Sequence, residues 1–189
     1  YAWQGTVTLT FDMDESITVG ACCDNLVVQT GGGEPEPDDR YWVAETGSNI
    51  SGDGTYANPW ATLAYAATQA TTPGDVIHVK AGTITETQQT VLAVGVSIVG
   101  QGATSIISTT VVDTGQPWDE TATIILSGPT EGTDGSQSIS YLAFDGNNYT
   151  ADAGIFVYQR SNVVIHHVDM DDFHYYGIRF RGGAIPPTT

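Results

Sequence analysis

The chain has 189 residues, of which 40% are hydrophobic, so it is long enough for one domain with a buried core. Five Lys and Arg residues stand against 22 Asp and Glu residues, which gives a formal net charge of −17 at pH 7. Binding to phosphates requires a basic surface, so this charge argues against a nucleic-acid partner and disfavours an anionic membrane surface. No run approaches 18 consecutive apolar residues, so the sequence predicts no insertion into a membrane.

The first thirty residues form a segment of their own. Residues 6–11 alternate polar and apolar side chains, as a half-buried strand does, and two further short strands follow within residues 1–30. Three short strands are marginal alone, so we expect either the tail of a β-sandwich or strands that pair with another subunit. Cys22 and Cys23 are adjacent, and a disulfide between neighbours is strained, which leaves free thiols and bonds to other partners both open.

A linker separates this segment from the rest of the chain. Residues 31–39 read GGGEPEPDD, in which flexible glycines precede a stiffer acidic and proline-containing stretch. We therefore predict a domain over residues 40–189. Its only helix candidate is residues 59–67, where apolar side chains at i, i+3, i+4 and i+7 give one buried face.

After this helix the chain becomes a succession of short apolar segments that end at Gly, Asp or Asn, and two patterns recur. Residues 154–157 match residues 177–180, an offset of 177 − 154 = 23. A second pattern recurs with an offset of 165 − 139 = 26: Ile139, Leu142 and Phe144 match Ile165, Val168 and Met170. Such units cannot bury their apolar faces alone, so the repeat predicts parallel stacking around a shared core, as in a β-solenoid.

Several motifs resemble one family. They are YWV at 41–43, NPWATL at 58–63, PGDVIHV at 73–79, VGVSIVGQG at 94–102 and SNVVIHHV at 161–168. Together they resemble pectate-lyase-like proteins over residues 41–182. The resemblance implies an all-β fold, a right-handed parallel β-helix (solenoid) with one short N-terminal capping helix, preceded here by the small β-strand segment. It implies little about activity, because lyases, hydrolases, adhesins and phage fibres share that fold.

The richest cluster of polar side chains lies in residues 166–181. Alternate residues of a strand share one face, so His167 is expected to point outward together with the acidic residues that follow it. Polysaccharide lyases of the resembled family use carboxylates to bind Ca²⁺ and a basic residue to remove the proton. The resemblance then implies Asp169, Asp171 and Asp172 as metal ligands, and Arg179 or Arg181 as the base. The alternative is that these residues end strands and pair with one another.

Two further kinds of site follow from residue types. His167, Tyr175 and Tyr176 are candidates for substrate binding, since aromatic rings stack on sugars, although such rings also fill the corners of a β-fold. Asn49 and Asn148 each begin an N-x-Ser/Thr triplet and would accept N-glycans in a secreted protein.

These features favour an extracellular structural or surface module, such as a self-assembling fibre subunit or an adhesin. Its partner would be a second copy, because a tethered strand can complete the open sheet of a neighbour. That homo-polymer would form through the N-terminal strands and an open solenoid end, since residues 181–189 show no second cap. The alternatives are a calcium-assisted polysaccharide lyase, with Ca²⁺ as cofactor, and non-catalytic glycan binding. Few lysines and the two glycosylation triplets point to a secreted or cell-surface location.

Overall fold

The computed structural model describes residues 40–112, 121–148 and 150–182. The predicted strand segment at 1–30, with Cys22 and Cys23, lies outside the described residues, as does the predicted linker at 31–39.

Within these ranges the chain forms eleven β-strands, one α-helix and a short 3-10 helix. In chain order they are β1 (Arg40–Val43), α1 (Leu63–Gln69), β2 (Val76–Val79), β3 (Gly82–Glu86), β4 (Thr90–Val91), β5 (Ser97–Val99), the 3-10 helix (Gly102–Thr104), β6 (Ser105–Thr109), β7 (Ala122–Ser127), β8 (Thr133–Asp145), β9 (Ala153–Tyr158), β10 (Arg160–Asp171) and β11 (Tyr176–Arg181).

The strands pair in two sheets. The seven-stranded sheet has the order β1-β2-β5-β8-β6-β3, and β10 pairs with β8 beside this path. The four-stranded sheet has the order β11-β9-β7-β4. The paired strands are parallel, and together they make a nearly closed, barrel-like arrangement with a seam.

The predicted right-handed parallel β-helix is therefore wrong. The long strand β8 pairs with β5 through its middle, with β6 through its end and with β10 along most of its length. It thereby joins the short strands into one continuous sheet. The offset of 26 does describe a real pairing, because Ile139 lies opposite Ile165. In-register neighbours occur in any parallel sheet, however, so the repeat could not specify how the chain closes.

The helix is shorter than predicted and begins later. Residues before it remain extended, because the Trp60 N–H donates to the Trp42 carbonyl and the Ala44 N–H donates to that of Trp60. Thr62 then caps the helix by accepting from the Tyr65 N–H.

A buried carboxyl group supports the start of the helix. Glu86 is fully buried, and its Oε1 and Oε2 accept from the N–H groups of Leu63 (2.5 Å) and Ala64 (3.1 Å). These donors belong to the first turn, which has no partners within the helix. Burial nevertheless raises the pKa of Glu86, since the loss of solvent outweighs these hydrogen bonds.

The core lies on the inner face of the seven-stranded sheet. Ile77, Ile98 and Ile139 are fully buried and follow one another in register across β2, β5 and β8. Each such side chain contributes on the order of 1.5–3 kcal/mol by burial. Because side chains alternate along a strand, the next residue of each strand points outward. These outward positions carry the candidate site.

Candidate functional site

One line of outward residues crosses the seven-stranded sheet. The register pairs Trp42 with His78, His78 with Val99, Val99 with Ser140, and Ser140 with His166. Five strands at about 4.8 Å each place the two ends of this line about 19 Å apart. Its ends carry rings and its middle carries small side chains.

The β10 end of the line departs from ordinary strand geometry. Consecutive residues of a strand normally point to opposite faces. His167 instead has a left-handed backbone, with φ of 52°. The rings of His166 and His167 consequently lie together, with centroids 5.0 Å apart and their Nδ1 atoms separated by 2.7 Å. A non-glycine residue in this conformation is uncommon and marks a position to examine for function.

Tyr141 completes this group, which we name the Tyr141 cluster (Tyr141, His166 and His167). Tyr141 also has a left-handed backbone, with φ of 56°. Its ring stacks on His167 with centroids 4.7 Å apart and planes 17° apart, and it meets the ring of His166 edge-on at 5.4 Å. The Tyr141 residue remains 42% exposed.

The other side of the Tyr141 ring faces the neighbouring strand. Val99 pairs with Ser140, so Gly100 lies alongside Tyr141 and presents no side chain there. The next residue, Gln101, directs its Oε1 to the Ala81 N–H at 3.2 Å. The ring is therefore supported by His167 on one face and borders a position without a side chain on the other.

The opposite end of the line carries the Lys80 cluster (Trp42, Tyr56, His78 and Lys80). Trp42 stacks on His78 with centroids 4.5 Å apart and meets Tyr56 edge-on at 4.8 Å. The Lys80 ammonium lies 3.6 Å from the centroid of the Tyr56 ring, a cation–π contact, and also donates to the Tyr56 carbonyl. Since these rings contact one another and Lys80, they serve first to hold the loop around Tyr56.

The predicted metal ligands are exposed but are not assembled into a site. Asp169 and Asp171 occupy alternate exposed positions of β10, and Asp172 follows with φ of 57°. Asp171 accepts from the Asp172 N–H at 3.0 Å, as in an ordinary turn. In residues 40–112, 121–148 and 150–182, no three His, Cys, Asp or Glu residues form a group that could hold a metal ion.

The two candidate bases lie in the other sheet. Arg179 and Arg181 belong to β11, where they pair with Phe156 and Tyr158 of β9. Their guanidinium groups lie over these same rings, 5.2 Å and 5.7 Å from the centroids. The predicted base and the predicted carboxylates are therefore carried by different sheets.

The three candidate substrate-binding residues fall in two places. His167 belongs to the Tyr141 cluster, whereas Tyr175 and Tyr176 lie at the turn into β11. Tyr175 is 63% exposed and stacks on His174 with centroids 4.0 Å apart. The structure thus offers two separate groups of exposed rings.

The two glycosylation triplets differ in their surroundings. The side-chain amide of Asn49 is partly buried, donates to Thr62 Oγ1 and accepts from the Ala61 N–H, both at 2.9 Å. Asn148 is exposed on the turn after β8. A glycan on Asn49 would break contacts that hold the start of α1, so Asn148 is the better acceptor.

A cavity of about 300 Å³ lies beside α1 and is lined in part by Asn49, Tyr65, Thr68 and Glu86. The carboxyl oxygens of Glu86 already accept from the helix. The polar groups of this cavity thus hold the helix in place, and we assign no ligand to it.

Comparison with family models, with curated proteins and with solved structures finds no match to this chain. The resemblance to pectate-lyase-like proteins therefore stays a prediction, and the functional argument rests on the geometry above. Within the described ranges, no helix has the length and apolar character needed to cross a membrane.

Sequence reasoning overlooked Tyr141, although a signal for it was present. The offset that matches Ile139 to Ile165 also places Tyr141 opposite His167, since 167 − 141 = 26. What the offset could not supply was the left-handed backbone at both residues, which brings His166 into the same group.

Proposed function

We propose that this chain is an extracellular surface module of the adhesin type, which binds a neutral glycan without catalysis. The observation that carries the proposal is the Tyr141 ring, which is stacked on His167 and bordered by Gly100 on its other side.

The chemistry of this ring suits a sugar. The C–H groups of a pyranose form an apolar face that packs on an aromatic ring, while its hydroxyl groups need polar partners at the rim. Ring nitrogens of His166 and His167 lie beside Tyr141 and can donate or accept. Support from His167 fixes the Tyr141 ring, which lowers the entropy that binding would cost.

Charge selects among glycans. The chain carries a net charge of −17, and Asp169 follows the Tyr141 cluster on the exposed face of β10. An acidic polysaccharide would be repelled by this surface, so a neutral glycan is the better ligand.

The lyase alternative gains no support from the arrangement of the site. Its chemistry requires a base and a bound metal on the same substrate carbon. Here Arg179 stacks on Phe156 in the four-stranded sheet, whereas Asp169 and Asp171 lie on β10.

A panel of immobilised oligosaccharides tests the proposal. We expect the purified chain to bind neutral members, to ignore uronate members, and to release no unsaturated product from either. Binding confined to uronates, or formation of an unsaturated product in the presence of Ca²⁺, would contradict it.

A second candidate function is a subunit joint, favoured by the last strands of both sheets. Among the described residues, β10 pairs only with β8 and β11 only with β9. Val164 is 53% exposed and Phe180 69% exposed on these strands. An edge of this kind can accept a strand from a second copy.

Light scattering at increasing concentration tests the joint. We expect oligomers from the unaltered chain and monomers from Phe180→Asp, with Val91→Asp, another exposed apolar residue at 53%, as the matched control. Monomers at every concentration would remove this candidate.

A further inference from the structure

We propose that the Nδ1 atoms of His166 and His167 form a binding site for Cu²⁺. This inference is independent of glycan binding, and it assigns to the histidine pair a ligand that differs from Ca²⁺ in both charge chemistry and geometry. Calcium takes oxygen ligands, whereas imidazole nitrogen suits copper, zinc and nickel.

The first support is the convergence of two nitrogens. The Nδ1 atoms lie 2.7 Å apart. Without a metal, one ring donates its Nδ1 hydrogen to the other. If both rings carry their hydrogen on Nε2 instead, two lone pairs remain between the rings, and a metal ion can accept both. This change is a shift of tautomer in one ring, so it needs no net loss of a proton.

The second support is that the backbone holds this geometry. Adjacent residues of a regular strand cannot direct both side chains to one point. The left-handed φ of 52° at His167 turns its ring to the side of His166, and the stack on Tyr141 fixes it there. The chelate is thus arranged before the metal binds. His167 is exposed and His166 half-buried, so an ion can reach the pair.

The distance between the nitrogens selects copper. With metal–nitrogen bonds of about 2.05 Å, a tetrahedral zinc site needs its nitrogens about 3.3 Å apart, whereas a square-planar site needs about 2.9 Å. The observed 2.7 Å is closer to the square-planar arrangement that Cu²⁺ prefers. Copper also binds nitrogen ligands more tightly than the other divalent first-row ions do.

The remaining positions around the ion would be taken by water. In the described ranges, no third His, Cys, Asp or Glu residue joins the pair to form a metal-binding group. The net charge of −17 raises the concentration of cations near the surface and favours their approach. Two nitrogen ligands with open positions describe a site of moderate affinity.

Calorimetric titration of the whole chain with Cu²⁺, in excess Mg²⁺ to occupy surface carboxylates, tests the inference. We expect one copper per chain, an electron paramagnetic resonance spectrum with coupling to two imidazole nitrogens, and weaker binding of Zn²⁺. His166→Ala and His167→Ala are each expected to weaken copper binding at least about tenfold and to leave coupling to one nitrogen.

His174→Ala is the matched control, because it removes an exposed histidine elsewhere and is expected to leave copper binding unchanged. Failure to bind copper, an all-oxygen spectrum, or equal affinity in the His166 and His167 variants would overturn the assignment. Circular dichroism of each variant checks that the fold is retained.

Discussion

The ring of Tyr141 lies 4.7 Å from the ring of His167, which matches the spacing of the two strands that carry them. Because β8 and β10 pair in register and both residues have left-handed backbone, the side chains leave the sheet at the same angle. Parallel pairing therefore converts an offset in the sequence into a stacked pair of rings on the surface.

The close approach at Gly100 predicts that this position accepts no side chain. A Cβ atom there would lie 2.2 Å from the Tyr141 carbonyl oxygen and 2.6 Å from Leu142 Cδ2. Backbone on β8 would have to move, so we expect Gly100→Ala to lower the free energy of unfolding by about 1–3 kcal/mol and to weaken glycan binding as well.

Urea unfolding measures the first effect. Gly102→Ala is the comparison, because a Cβ there meets nothing within 4 Å and the cost arises from its φ of 80° alone. That cost is about 1 kcal/mol. Equal stability of the Gly100 variant and the unaltered chain would show that β5 and β8 do not approach as described.

The buried carboxyl of Glu86 predicts a pH dependence. Burial raises its pKa above the ordinary 4.5, so the folded chain holds this proton more tightly than the unfolded chain. The stability that this group contributes is complete below about pH 4.5 and is lost as pH rises through the folded pKa. Glu86→Gln removes this group's titration.

The measurement is the difference in unfolding free energy between the unaltered chain and Glu86→Gln from pH 4.5 to 7.5. We expect this difference to fall as the pH rises. Glu45→Gln controls for the loss of one negative charge, since Glu45 is exposed. A difference that rises with pH would mean that the hydrogen bonds from Leu63 and Ala64 outweigh the loss of solvent.

The half-buried guanidinium of Arg160 connects three segments. It donates to Gln137 Oε1 at 2.7 Å, to the Leu92 carbonyl at 3.3 Å and to the Ser127 carbonyl. Arg160→Ala leaves these acceptors without their donor, so we expect a loss of about 2–4 kcal/mol in the free energy of unfolding.

Arg179→Ala is the matched control for Arg160, because it removes an arginine whose recorded contacts are with the rings of Phe156 and Tyr176. Its cost should be about 0.5–1 kcal/mol. If urea unfolding gives equal losses for the two variants, Arg160 does not hold the segments together.

Part of the fold could be predicted from the sequence. Alternation in β10 predicted that His167, Asp169 and Asp171 are exposed, and this is confirmed. Parallel pairing of Ile139 with Ile165 followed from the repeat. The way the sheet closes did not follow, because Val99 pairs with Ser140 at an offset of 140 − 99 = 41, which no repeat in the sequence displays.

The composition of the site was harder to predict, for a physical reason. Alternation reports which face of a strand a residue occupies, but not which sheet the strand joins. Arg179 and Asp169 are ten residues apart, since 179 − 169 = 10, yet β11 and β10 belong to different sheets. Proximity in sequence therefore suggested a group that the pairing of strands separates.

The central claim is that Tyr141 carries glycan binding, and calorimetric titration with a neutral oligosaccharide tests it most directly. We expect Tyr141→Ala to weaken binding at least about tenfold, Tyr141→Phe to retain most of it, and Tyr175→Ala, at the other group of exposed rings, to leave it unchanged. Equal affinity of Tyr141→Ala and the unaltered chain, or loss of binding in Tyr175→Ala alone, would contradict the account.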